Sequence, residues 1–251
     1  MTTDIYQSIL KAKTNKVKQI ALLVDPDKSD EMYINKLIAF ALEAKVDYLF
    51  VGGSLLTEGK FEECIETLKS QTKIPVVIFP GNNLQIHPFA DAILFLSLIS
   101  GRNPDLLIGQ QVKAAPLIKQ YGLEYIPTGY MLIDGGNITS VQYMSNTTPI
   151  PANKPDIAVA TALAGQMLGL KCIYMDAGSG ANNHISEHMI SKVSEQVDLP
   201  IIVGGGIRTA ADAQKIAKAG ADIIVVGNAI EKNAELILEM SLAIKDLVLK
   251  P

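Results

Sequence analysis

Cysteine is scarce in this chain: among 251 residues only Cys64 and Cys172 carry a thiol. Two thiols cannot build a disulfide framework, and a chain that uses so few points to a reducing compartment, the cytoplasm. Positive charge is not in excess either. Lys and Arg number 22 against 26 Asp and Glu, for a net charge of −4 and a pI near 5.4. No broad basic field is therefore available to hold nucleic acid, and an anionic ligand must be bound by local backbone donors or by a metal. Long apolar runs are also missing. The longest, Ala92 to Ile99, already contains Ser97 and falls far short of the roughly 20 residues that span a bilayer. Residues Met1 to Gln19 hold Lys11, Lys13, Lys16 and Lys18 but no apolar core, so they are not read as a secretory signal. Histidine occurs three times. His184 and His188 stand four apart, but with no third ligand they read as a solvated helix face rather than a metal site.

What is abundant is short, buried-looking sequence. Hydrophobic residues make up 48% of the chain and charged ones 19%, with a mean hydropathy of +0.23. That is ample for a large core, and strands buried on both faces would raise hydropathy in this way. Nearly continuous β-branched runs recur: 20–24, 48–51, 76–79, 92–98, 125–132, 172–175, 201–203 and 223–226. Helical patterns lie between most of them, at 31–44, 61–69, 104–120, 157–168, 186–196 and 210–219, and a last one at 234–249 closes the chain. Alternation of this kind argues a parallel α/β fold, and eight strands favour a closed (β/α)8 TIM barrel, with 1–251 as a single domain. The third unit is the irregular one. Only Pro80 to Asp91 separate its strand from the next, with Gly81, Pro88 and two Asn between, so its helix should be shortened or missing. Residues 134–155 form a long Asn-, Thr- and Pro-containing connection after the fifth strand, which reads as functional or disordered.

Three consecutive strands, the sixth to eighth, end in Gly-rich turns: Tyr174-Met175-Asp176-Ala177-Gly178-Ser179-Gly180-Ala181, Val203-Gly204-Gly205-Gly206-Ile207-Arg208 and Val226-Gly227-Asn228. Glycine lets backbone N–H groups approach a ligand, and each turn is read as opening a helix whose N-terminal donors attract an anion. One such turn would be an ordinary strand-to-helix connection. Three at the C-terminal face of a barrel predict a phosphate cup. Arg208 reads as a solvated residue at a helix start, since backbone donors suffice. The first strand ends in Val24-Asp25-Pro26-Asp27-Lys28, which brings a carboxylate out of the core at the same face. Asp25 is the candidate Mg²⁺ ligand, with Asp27 second to it; the alternative is that either one caps a helix or shapes the turn at Pro26. Ser54, after Val51-Gly52-Gly53, should face the same rim and help bind the metal or a phosphate oxygen; its alternative role is a helix N-cap.

Together these motifs resemble the geranylgeranylglyceryl phosphate synthase family, which includes the bacterial PcrB-type heptaprenylglyceryl phosphate synthases. The likeness also rests on Ile78-Phe79-Pro80-Gly81-Asn82 and Tyr130-Met131-Leu132-Ile133, and it spans almost the whole chain. Length and the loop after the fifth strand look most like the branch shared by some archaea and Bacteroidetes-type bacteria. The resemblance implies that sn-glycerol-1-phosphate attacks C1 of a polyprenyl diphosphate, geranylgeranyl by expectation, forming an ether and releasing pyrophosphate. It implies Mg²⁺ at Asp25 with Ser54, glycerol hydroxyls held by Tyr174 and Asp176 as the catalytic pair, and phosphate against Ser179, Gly205, Gly206, Gly227 and Asn228, within a substrate-binding set that also takes in Ala177, Gly178 and Gly180. The family commonly carries Glu where this chain has Asp176, so the carboxylate's reach is shorter by one methylene. The residues themselves agree with the reaction: a hydroxyl nucleophile wants a carboxylate base, and an allylic diphosphate wants positive charge on its leaving group. A prenyl tail needs an apolar groove. Two or three of Phe79, Pro80, Phe95, Leu96, Leu98, Tyr130 and Leu132 should line it, Tyr130 first among them. The alternative activity is that of a sugar-phosphate isomerase or lyase using the same cup; a non-catalytic phosphate binder is a third. A homo-oligomer is expected, with contacts from 106–118 and 157–168, together with peripheral membrane contact for product release.

Overall fold

The computed structural model describes residues 4–247. Eight parallel strands close into a barrel in sequence order, β1 (Gln19–Val24), β2 (Tyr48–Val51), β3 (Val76–Ile78), β4 (Ala92–Leu98), β5 (Glu124–Leu132), β6 (Cys172–Asp176), β7 (Ile201–Gly204) and β8 (Ile223–Val226), with β8 pairing back onto β1. This is the (β/α)8 TIM barrel that the alternation predicts. The surrounding helices are α2 (Glu31–Glu43), α3 (Phe61–Gln71), α4 (Gln110–Tyr121), α6 (Pro155–Met167), α7 (Glu187–Ser194), α8 (Ala210–Lys218) and α10 (Leu236–Lys245). Residues 248 and 249 of the last expected helix, and the ends of the expected 1–251 domain, lie outside the described residues.

Strand parity sorts the core into two layers, because successive side chains point to opposite faces. Ala21, Tyr48, Phe50, Leu94, Ile126, Tyr130, Tyr174, Ile202 and Val225 fill the barrel interior. Ile20, Leu22, Leu49, Val51, Ile173, Met175, Ile201 and Val203 pack outward against the helices. The helix α1 (Ile5–Thr14) was not foreseen: its apolar stripe is only Ile5 and Ile9. Both side chains join the interior cluster, and the N–H groups of Ile5 and Tyr6 each donate to the Glu124 carboxylate at 2.8 Å. Because Glu124 opens β5, α1 covers the N-terminal end of the barrel and leaves the C-terminal end for ligands.

Three further departures shape that open end. Residues 79–91 between β3 and β4 contain no helix; Gln85 is buried in this loop and ties it to the β2 turn. The long connection after β5 is ordered: it carries α5 (Ser140–Ser145), and Ile150 pairs with Ile133 beside the barrel. The Gly-rich turns do not all open helices. Gly178, Gly180, Gly205 and Gly206 have φ between +71° and +89°, which turns the chain away from a right-handed helix, so α7 and α8 start later, at the side-chain caps Ser186 and Thr209. Only Gly227 leads straight into one, α9 (Asn228–Lys232). Among the described residues no helix is long and apolar enough to cross a membrane.

Candidate active site

A cavity of about 900 Å³ opens at the C-terminal ends of the strands. Asp176, the last residue of β6, stands at its wall, 7% exposed. Its Oδ2 accepts the Tyr130 hydroxyl at 2.5 Å and its Oδ1 accepts the Gly178 N–H at 2.8 Å. Burial pushes its pKa above the usual carboxylate range; the Tyr130 and Gly178 hydrogen bonds pull the other way without cancelling that effect. A carboxylate poised in this way is a better general base than an exposed one. Tyr174, two residues earlier, has its ring stacked on Phe79 at 4.8 Å and 5°. Burial first, and then the Asp176 charge, raises both tyrosine hydroxyls well above their ordinary pKa, so they stay protonated donors. The register explains the cluster. Tyr130 of β5 is level with Tyr174 of β6, and Asp176 is level with Gly204 of β7. Gly204 matters here because a Cβ on it would lie 2.7 Å from the Tyr174 hydroxyl oxygen.

The cup lies beside this carboxylate. Ser179, Gly180, Gly205, Gly206, Gly227 and Asn228 all line the cavity with Tyr174 and Asp176. Asn228 Oδ1 accepts from the Ser179 hydroxyl at 2.9 Å and the Gly180 N–H at 3.2 Å, joining the turns after β6 and β8. The amides of Gly205 and Gly206 meet no backbone acceptor among the described residues, which leaves them available to an anion. Ala177 and Gly178 do not belong to the cup. The Ala177 N–H donates to Gly204 O at 3.1 Å, the Gly178 N–H is engaged by Asp176, and Gly178 packs against Thr139. Arg208 is exposed, but its Nη2 donates to Ala181 O at 2.9 Å and it lines the cavity, so it is more than a solvated helix start.

Across the cavity, the Asp25-Pro26-Asp27-Lys28 turn is held by contacts within itself and by contacts to two neighbouring segments. Asp25 Oδ1 accepts the Asp27 N–H at 3.2 Å, and Oδ2 lies 3.0 Å from Lys28 Nζ. Asp25 thus shapes the turn, as one of its two readings had it, while still facing the cavity. Asp27 is turned away: its carboxylate accepts from Thr57 N, Thr57 Oγ1 and Glu58 N. That pins the loop that begins at Ser54 and removes Asp27 as a metal candidate. Ser54 lines the cavity and is not a helix cap, since α3 begins after Lys60. A side-chain carbon on the neighbouring Gly53 would stand 3.7 Å from Asp25 Oδ1, so the two turns adjoin. Among the described residues no three His, Cys, Asp or Glu side chains gather as a metal cage; His188 is exposed, and His184 Nδ1 contacts Ile185 O.

The apolar side of the cavity is wider than expected. Phe79, Pro80, Phe95, Leu96, Leu98 and Tyr130 all line it, and Leu132 of the expected set does not. Residues of both parities on β4 face it because no helix follows β3 to cover that flank. Tyr130 lines the cavity too, but its hydroxyl serves Asp176. The Tyr130 contact, the Gln85 tie and the pairing of Lys28 with Glu231 at 3.3 Å are the features that sequence reading missed.

An anion cup, a buried carboxylate with a raised pKa and an apolar channel, all at the C-terminal end of the strands, define a phosphate-binding TIM-barrel enzyme whose substrates combine charge with a long apolar part. The PcrB family model matches residues 12–245, and the chain belongs to that family. It is 56% identical over 244 residues to the geranylgeranylglyceryl phosphate synthase of Chitinophaga pinensis, covering 97% of each chain. To the enzyme of the same name from Pyrococcus furiosus it is 41% identical over 220 residues, 87% of each chain. The solved (S)-3-O-geranylgeranylglyceryl phosphate synthase of Thermoplasma acidophilum, in complex with its substrate sn-glycerol-1-phosphate, matches with a TM-score of 0.91 at 34% identity, over 98% of this chain and 99% of that one.

Proposed function

We propose that this protein joins sn-glycerol-1-phosphate to a polyprenyl diphosphate, geranylgeranyl diphosphate by preference, through an ether bond, with release of pyrophosphate. The observation that carries the proposal is the position of Asp176, a buried carboxylate with a raised pKa between the phosphate cup and the apolar channel. The cup formed by Ser179, Gly180, Gly205, Gly206, Gly227 and Asn228 holds the glycerol phosphate. The free glycerol hydroxyl then lies against Asp176, which takes its proton, while the Tyr174 hydroxyl orients the glycerol by hydrogen bonding. The channel along Phe79, Phe95, Leu96 and Leu98 takes the prenyl tail and keeps water from the reacting carbon.

Asp25 and Ser54 offer one carboxylate and one hydroxyl on adjoining turns. This is a hard-oxygen set of the kind that holds Mg²⁺ together with water and substrate phosphate oxygens. Bound there, Mg²⁺ would supply positive charge to the leaving pyrophosphate. The protein would act as a homo-oligomer, at the cytoplasmic face of a membrane that receives the lipid product.

The test is to incubate the purified protein with Mg²⁺, geranylgeranyl diphosphate and each glycerol phosphate enantiomer separately, and to read the prenyl ether by mass spectrometry. Product from sn-glycerol-1-phosphate alone, abolished by EDTA, is the expected result. Absence of product with this diphosphate and with shorter and longer ones would overturn the reading.

A further inference from the structure

We infer that Lys28 is the cation that receives the leaving pyrophosphate. The inference rests on the synthase reading and assigns to that site a residue the reading leaves without a role. Among the described residues three cationic side chains line the cavity: Lys28, Arg208 and Lys232. Arg208 stands on the cup side, bonded to the backbone of the turn after β6. Lys232 is an exposed residue at the end of α9. Lys28 stands at Asp25, on the side where the diphosphate must lie if the cup is filled by glycerol phosphate.

Its ammonium is held across the seam between β1 and β8. Asp25 Oδ2 is 3.0 Å away on the β1 turn, and both carboxylate oxygens of Glu231 on α9 are 3.3 Å away. An ammonium carries three N–H donors and here faces three carboxylate oxygens, so a substrate oxygen takes over the donor that now points at Asp25. The side chain is half exposed, so turning from Asp25 toward a substrate oxygen costs little desolvation. In the reaction the C1–O bond of the diphosphate breaks and its electron pair stays on the pyrophosphate oxygen. The glycerol oxygen bonds to C1 and its proton passes to Asp176. Lys28 donates to the oxygens on which that negative charge collects. Glu231 is a positioning residue: it keeps the ammonium over the cavity and also competes with the phosphate oxygens for it.

This division of roles separates the inference from a purely structural clip. The experiment is calorimetric titration of the full-length protein with inorganic pyrophosphate in Mg²⁺, and separately with sn-glycerol-1-phosphate, for wild type, Lys28→Gln, Lys28→Arg and Glu231→Gln. Melting curves confirm that each variant is folded. Lys28→Gln should bind pyrophosphate about tenfold more weakly or worse, with sn-glycerol-1-phosphate affinity within about twofold of wild type. Lys28→Arg should recover most of the loss, and Glu231→Gln should bind pyrophosphate as tightly as wild type or more so. Undiminished pyrophosphate binding in Lys28→Gln overturns the inference, and so does a loss in Glu231→Gln as large as in Lys28→Gln. Prenyl transfer by wild type, assayed alongside, tells failure of this inference from failure of the synthase reading.

Discussion

Replacing Tyr130 by Phe removes one oxygen atom and leaves the ring in place among Phe79 and Tyr174. That oxygen donates one of the two hydrogen bonds that support the buried Asp176 carboxylate, at 2.5 Å. A hydrogen bond to a charged group is worth about 1.5–3 kcal/mol. Its loss weighs chiefly on the ionised form, because a protonated carboxyl needs the donor less. Burial already holds the Asp176 pKa up, and the variant pushes it further in the same direction. If Asp176 is the base, kcat/KM on the acidic limb of the pH profile should fall by about ten- to a hundred-fold, at about 1.4 kcal/mol per factor of ten. On the high-pH plateau, where the carboxylate is ionised in both proteins, the two should differ much less. The assay is prenyl transfer at limiting sn-glycerol-1-phosphate across pH, with wild type and Tyr130→Phe side by side. An acidic limb at the same pH in both would refute the reasoning, because it would mean that Asp176 is not the group whose ionisation limits the reaction.

Asp176→Asn should lower kcat by about 10²- to 10⁴-fold, the usual worth of a general base. It should not destabilise the fold. Because the folded-state pKa lies above the unfolded one, the native carboxylate loses stability as pH rises through that window, and the amide does not, so the melting temperature near pH 8 should equal or exceed that of wild type. Tyr174→Phe deletes a hydroxyl assigned to the glycerol but keeps the stack on Phe79; KM for sn-glycerol-1-phosphate should rise about tenfold, with the melting temperature unchanged. Gly205→Ala places a Cβ 2.7 Å from both Asp176 Oδ1 and Gly178 N, at a φ of +82°. The left-handed backbone alone costs about 1–2 kcal/mol, so both the melting temperature and the affinity for sn-glycerol-1-phosphate should drop, and a variant as stable as wild type would count against the described turn.

Much of this molecule was legible from its residues in order. A barrel strand buried on both faces leaves a run of apolar residues that needs no partner to be recognised, so all eight strands could be placed, several to the residue. The short segment 80–91 could not hold a crossover helix, and Gly, Pro and Asn there said so. Glycines at three successive strand ends marked the cup, and Asp25 and Asp176 were visible as carboxylates leaving apolar runs.

What the sequence could not show is what depends on register and on contacts between distant segments. That Tyr130 serves Asp176 follows from the pairing of β5 with β6 and from both side chains facing the interior; read alone, Tyr130 is one more aromatic residue in an apolar run. Ala177 and Gly178 look like cup residues until Gly204 and Asp176 take their amides. Asp27 and Lys28 are adjacent in the chain yet are drawn to opposite neighbours, one to the loop after β2 and the other to the helix after β8. Local sequence determines which residues emerge at the end of a strand, because burial and backbone conformation are local demands. Barrel closure decides which of them meet, because hydrogen bonds and ion pairs form between whatever groups the closed sheet brings within about 3 Å of one another.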